Sequence, residues 1–225
     1  MSTGQHKSGQ GSRGQILGRI RASLNRVEPL HASIQANLEH RLKYPRTSVQ
    51  PAISGDLLQR FKHKAQASGA TIECLQDGHL PGRALQSYLD QQGLPAELVL
   101  SGEPLVRKQE WLHLEIFGDD RLVQSDAVFV STASVAIAET GTCLLVSGSN
   151  HLNRSNFLAD THVVLLEKSQ IVPHIENAWV WLREQTGAIP RACVLLSGPS
   201  KTADVEQTIQ IGAHGPRRLH YLVLP

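Results

Sequence analysis

The chain has 225 residues, 40% of them apolar and 19% charged. That suits one α/β-sized domain with an appendage and excludes wholesale disorder, while no run approaches the ~20 apolar residues of a membrane-spanning helix. The net charge of +2 is unevenly held: residues 1–50 carry eight Lys/Arg against two acids, a net +6, which leaves the other 175 residues at −4.

Residues 1–12 are rich in Gly, Ser, Gln and Lys and read as a mobile tail. Ile16, Leu17, Ile20 and Leu24 fall at helical spacing, and Leu30, Ile34, Leu38 and Leu42 repeat it before Pro45. Residues 13–45 are therefore predicted as a basic helical arm. It should dock on the body or on an acidic partner; with Tyr44 its one aromatic residue it lacks a stacking platform, and nucleic acid is not expected.

From about residue 50 an α/β domain is predicted. Leu57, Leu58, Phe61 and Ala65 mark a helix ending at Gly69. A second helix opens at Pro81 and closes at Gly93, a third follows Pro173, and a fourth is expected over Ala203–Ile211. Strands are predicted at Thr71–Leu75, Glu97–Ser101, Ala127–Val130, Thr142–Val146, Val163–Leu166, Ala192–Leu196 and Leu219–Leu224. These short Val/Leu-rich runs suit strands buried on both faces, and their alternation with helices predicts a mainly parallel sheet flanked by helices. Chemistry in such sheets is sought beyond the carboxyl ends of the strands.

The spacing Gly9-x-Gly11-x-x-Gly14 imitates a dinucleotide fingerprint, but no strand precedes it. Cys74, Cys143 and Cys193 are too few and too scattered for a disulfide framework, a zinc ribbon or an iron–sulfur cluster. His151, His162 and His174 lack metal-ligand spacing, so no metal site is expected. The polar N-terminus has no apolar signal core, and a cytoplasmic location is expected.

Two junctions gather polar groups. Glu139, before Thr140, Gly141 and Thr142, is the one carboxylate in the apolar stretch from Ala127 to Val146. A buried acid needs a partner or a task; it could equally cap a helix or pair with Lys201. The second junction is Ser197-Gly198-Pro199-Ser200-Lys201-Thr202. Read as the entry to the helix expected over Ala203–Ile211, it offers amides, hydroxyls and a lysine to a small carboxylate or phosphate. It could equally be an ordinary capped turn. His214, between glycines, follows that helix and is a candidate base, ligand or turn residue.

Three ordered motifs now carry a resemblance: Ala136-Ile-Ala-Glu139-Thr-Gly141-Thr142, Ser197-Gly-Pro-Ser-Lys201-Thr-Ala-Asp204-Val-Glu206 and Gly212-Ala-His214-Gly-Pro216. The chain resembles the LutC/YkgG family of lactate utilization protein C, with its LUD domain, most strongly from about Ala127 onward. Two departures stand out: Ser131-Thr-Ala133 replaces a commoner Thr-Gly pair, and the loop Ser147–Arg154 is unusually polar, although Arg154 keeps a basic group near the family's usual position.

The resemblance implies a fold like the sugar-phosphate isomerase and coenzyme A transferase superfamily. It also implies a part in oxidising L-lactate to pyruvate beside iron–sulfur partner proteins. Electron transfer by this subunit would need a small-molecule cofactor or a partner. The expected site has Glu139, Asp204 and His214 as its acid/base or lining groups, and Ser197, Gly198, Ser200, Lys201 and Thr202 holding an anion. Thr140 and Arg154 stand at its margin. Two alternatives are an acyl or coenzyme A transferase-like enzyme with Glu139 as nucleophile, and a non-catalytic metabolite-binding assembly or regulatory subunit.

Overall fold

The computed structural model describes residues 10–25, 31–43, 49–124, 126–186, 190–203, 209–212 and 214–225. The chain divides into two compact units, Met1–Gln50 and Pro51–Pro225. The first holds helices α1 (Gln10–Ser23) and α2 (Ala32–Lys43). Along them Ile16, Leu17, Ile20, Leu24, Ile34 and Leu38 are exposed.

The second unit runs α3 (Leu57–Ala67), β1 (Thr71–Cys74), α4 (Pro81–Gln92), β2 (Glu97–Leu100), α5 (Pro104–Arg107), β3 (Glu115–Phe117), β4 (Val128–Thr132), β5 (Val135–Ile137), β6 (Thr142–Val146) and α6 (Ser155–Leu158). It continues with β7 (Thr161–Glu167), β8 (Ile171–Val172), α7 (Ile175–Thr186), β9 (Cys193–Leu196), β10 (Lys201–Ala203), β11 (Ile209–Ile211) and β12 (Arg218–Leu224). Local chemistry sets several boundaries. The Asp56 carboxylate accepts from Leu58 N at 2.9 Å to cap α3. Pro81 opens α4, and Gly93, at φ 64°, closes it in the left-handed conformation.

Six strands form a wholly parallel sheet in the order β1-β12-β7-β4-β2-β3. Its central strands are apolar on both sides because both faces are covered. Along β7, Val164 and Leu166 pack with Phe61 and Ala65 of α3 and with Ala136, Cys143 and Leu145. Val163 and Leu165 face the other way, onto Leu85, Tyr88 and Leu89 of α4.

Thr142–Val146 and Ala192–Leu196 have the same apolar character, yet β6 and β9 lie in a second sheet, β8-β5-β6-β9, where both pairings of β6 are antiparallel. Its far face, Val135, Ile137 and Leu144, packs on Ala178 of α7. Apolar content marks burial on two faces; it does not say which sheet supplies them.

One element is corrected. The helix expected over Ala203–Ile211 is not formed at either end: Lys201–Ala203 and Ile209–Ile211 are strands paired antiparallel, with Thr202 opposite Gln210. Residues 204–208 lie outside the described residues. The amides expected to open a helix at Ser200–Thr202 lead instead into strand β10. Ser, Thr and Asp cap helices but serve strand ends as readily, and tertiary pairing overrides the local signal.

Candidate functional site

The second sheet brings three chain segments to one edge. Ile137 pairs with Val172, and Cys143 with Leu196. The turn Ala138–Gly141, the Pro173–His174 step and Ser197 therefore emerge together. Glu139 N donates to Pro173 O at 3.0 Å, and His174 Nδ1 lies 3.1 Å from Glu139 Oε2. His174 is held in turn by its backbone N–H, which donates to Asn177 Oδ1 at 3.1 Å. The carboxylate is 24% exposed and the imidazole 11%, so the pair is fixed by its surroundings yet open to solvent. A hydroxyl chain runs beside it: Thr140 Oγ1 donates to Thr142 Oγ1 at 2.7 Å, and Thr142 Oγ1 meets Ser197 Oγ at 2.5 Å. A carboxylate touching an imidazole at a strand edge can pass a proton or orient a donor.

Gly141 makes this corner possible. It sits at φ +70°, and a Cβ there would collide with the backbone of Lys64 and Ala65 in α3. The turn is thus pressed directly onto that helix, as only glycine permits.

The segment from Ser197 onward does something different from what its composition suggests. Gly198, at φ +124°, lies so close to Ser68 that a Cβ would sit 2.7 Å from the Ser68 carbonyl oxygen. Lys201 Nζ donates to that same oxygen at 3.2 Å. Glycine and lysine together close the carboxyl end of α3, where free carbonyls favour a cation. Ser200 is bound through its backbone: its N–H donates to Pro216 O at 2.8 Å and its carbonyl accepts from Gly212 N at 3.0 Å. This ties the loop holding His214, an exposed residue, to the Ser197–Lys201 segment.

Among the described residues, Glu139 bonds through its side chain to His174, and not to Lys201 or His214. Asp204 lies outside the described residues, and of Thr202 only the backbone pairing is described. Arg154 pairs with Asp119 at 3.6 Å, both well exposed. No group of three or more His, Cys, Asp or Glu suited to a metal occurs among the described residues. Nor is any helix there long and apolar enough to cross a membrane.

A second polar centre, at the parallel sheet, went unseen in the sequence. From β2 the chain moves outward to β3, whereas from β4 it moves the other way to β7, so the neighbours β2 and β4 flank a topological switch point. Glu103 stands there. Its Oε2 accepts from Ser101 Oγ at 2.8 Å and from Thr132 N at 2.8 Å, and lies 3.2 Å from His151 Nδ1. His151 Nε2 sits 2.7 Å from Asn156 Oδ1.

Burial by itself would raise the Glu103 carboxyl, but the contacts from His151 and Thr132 outweigh it and hold it below the usual carboxylate range. Burial would likewise lower His151, and the carboxylate with Asn156 raises it instead. Each shift favours the charged form, with His151 Nδ1 in ion-pair range of Glu103 Oε2 and Nε2 bonded to Asn156. His162 is fully buried: its ring centre is 5.1 Å from that of Phe129, and its Nε2 is 2.8 Å from Ser131 Oγ. Burial, with the nearby His151 charge, pushes it down to about 3. Glu103 has no sequence signal beyond the Glu-Pro opening of a one-turn helix, and 48 residues part it from His151.

Known proteins share this architecture and sequence. The model of the LUD domain matches residues 119–224. A protein of Neisseria meningitidis serogroup B, described as uncharacterized protein NMB1437, is 32% identical over 179 residues, which covers 80% of this chain and 72% of that protein. The chain belongs to the LUD-domain family that includes lactate utilization protein C. A lactate utilization protein C of Geobacillus thermodenitrificans is 32% identical over 100 residues, 43% of this chain; one from Halalkalibacterium halodurans is 29% identical over 143 residues, 62% of this chain. The chain spans 42% of the length of the first of these relatives and 56% of the second. The crystal structure of a DUF162 family protein from Deinococcus radiodurans superposes with a TM-score of 0.58 at 22% identity, covering 78% of this chain and all of that one. That likeness speaks for the α/β fold.

Proposed function

We propose that this chain serves lactate utilization, as a cytoplasmic subunit of a system that oxidises L-lactate to pyruvate with iron–sulfur partner proteins. In this reading the chain handles a small carboxylate and a proton, and the partners take the electrons. The names of the relatives support the pathway. The observation that carries the chemistry is the Glu139–His174 contact of 3.1 Å, which lies within the residues the LUD domain model matches. Glu139 is the acid/base group, His174 sets its orientation, and the hydroxyls of Thr140, Thr142 and Ser197 border it.

The test is growth on L-lactate as sole carbon source. A strain lacking the gene should fail to grow, the wild-type gene should restore growth, and Glu139→Gln should not, although the variant preserves size and keeps the melting temperature within a few degrees. Normal growth of the deletion strain would overturn the pathway; normal growth of the Gln variant would overturn the role of Glu139. A second reading, an assembly subunit that binds a metabolite without converting it, draws support from the exposed apolar side chains of α1 and α2 and of Leu24 just after α1. Rescue by Glu139→Gln but not by a chain lacking residues 1–50 selects it.

A further inference from the structure

The parallel sheet ends on one side at β3, which pairs with β2 and, among the described residues, with no strand beyond it. Glu115 N donates inward to Ala96 O at 2.8 Å. In a parallel ladder the N–H and C=O of one residue point the same way, and successive residues alternate. Those of Ile116 therefore point outward, where no described group meets them. An open row of backbone groups is a template for one more strand.

The side chains leave this edge uncovered as well. All three residues of β3 are exposed. Ile116 is 54% exposed and Phe117 40%, and neighbours on a strand face opposite flanks, so an apolar side chain lies bare on each side. Leu112 before the strand and Val123 after it extend the apolar surface. The charge around it has one sign. Residues 110–120 hold four acids, Glu110, Glu115, Asp119 and Asp120, and no Lys or Arg. Asp119 has a loose ion pair with Arg154 at 3.6 Å, and the adjoining base, Arg121, is held by Glu97 at 2.6 Å. Glu110, Glu115 and Asp120 have no ion pair among the described residues.

These features select the occupant. A helix uses its backbone groups internally and cannot answer those of Ile116. A second copy of β3 would bring the same four acids to the edge, and like charges set opposite each other oppose pairing. An extended basic chain meets every requirement. Its apolar side chains lie on the flank of Ile116. Its basic side chains lie on the flank shared by Glu115 and Phe117, where a charged head meets the carboxylate and its stem covers the ring.

We propose that β3 is a docking edge for a partner protein, which adds to the sheet an extended segment of alternating apolar and basic residues. This role stands apart from the chemistry assigned to Glu139.

The probe is a capped peptide of about nine residues, long enough to span a strand, in which Val and Lys alternate. It is titrated into the isotope-labelled full chain at low salt and followed by NMR. The amides that shift should centre on Ile116 and the adjoining β2. A peptide alternating Val and Glu should bind at least about tenfold more weakly, because several cross-strand charge pairs change sign. A fully N-methylated Val/Lys peptide keeps the side chains and charge but has no N–H to donate, and it should also lose at least about tenfold. Glu115→Gln should weaken the Val/Lys peptide about threefold, the span of one exposed ion pair. Ile116→Pro removes the outward N–H and spares the bonds to β2, so binding should vanish with the circular dichroism spectrum unchanged. Should that variant fail to fold, the N-methylated peptide on the wild-type chain decides the same point. The proposal is overturned if no peptide binds, if the Val/Glu or the N-methylated peptide matches the Val/Lys peptide, if folded Ile116→Pro binds as the wild type does, or if the shifts lie away from β3. A dimer of the chain in analytical ultracentrifugation that the Val/Lys peptide dissolves assigns the edge to a second copy and overturns it too.

Discussion

Lys201 reaches the carbonyl oxygen of Ser68, 3.2 Å away and 133 positions earlier in the chain. The lysine of the most polar loop thus ends a helix near the start of the domain. The same approach leaves Gly198 no room for a side chain. Lys201→Met should lower stability by only about 0.3–1 kcal/mol, because the lysine is exposed and its contact is with a helix terminus. Gly198→Ala should cost several times more. Urea denaturation of both variants checks the order; a lysine variant as damaging as the glycine variant would contradict it.

Gly141 should tolerate no side chain. It combines a positive φ with direct contact against the α3 backbone, so Gly141→Ala is expected to cost about 3 kcal/mol or more, as strain and overlap add. Since the strain falls on the turn that carries Glu139, thermal unfolding should show the loss before any binding assay is needed.

The Glu103–His151 pair should behave as a unit. His151→Ala leaves a mostly buried carboxylate without its cation and should cost about 3 kcal/mol at pH 7. In the Glu103→Gln background the same change should cost clearly less, and a double-mutant cycle measures the difference. The sign with pH is fixed by the raised His151 value: the pair's contribution is complete below the ordinary histidine range and is lost as pH rises through the raised value. From the Glu103 side, it is lost again as pH falls through the lowered carboxyl value.

His220 predicts a different acid limb. Burial pushes it down to about 4, while its ring stacks on Tyr88 at 3.9 Å and its Nδ1 meets Thr71 Oγ1 at 2.7 Å. The folded chain keeps it neutral where the unfolded chain takes a proton. Stability should therefore fall between pH 6.5 and pH 4, by roughly 3 kcal/mol from this residue. His220→Phe keeps the stacking and should flatten that limb relative to the wild type; an equally steep fall in melting temperature would count against it.

Much of this protein was readable along the chain. The Val/Leu runs located seven strands to within two residues at most ends, and Pro81 and Gly93 bracketed α4, because φ preferences and apolar burial act locally. Glu139 announced itself as a lone acid in an apolar stretch. His174 did not, since nothing in the spacing of residues 35 apart tells that β5 and β8 pair in the register that joins them. Glu103 and His151 were silent for the same reason: each is an ordinary polar residue in a loop until the switch between β2 and β4 brings them together.

Local preference decided where strands and helices form, and which segments must be buried. Only tertiary pairing decided that Thr142–Val146 and Cys193–Leu196 leave the parallel sheet for a second one, that both ends of the segment expected as a helix over Ala203–Ile211 are paired strands, and that Lys201 faces a helix end. Burial energy is blind to direction and partner; strand order, register and the placement of charges come from which surfaces the whole chain can cover at once.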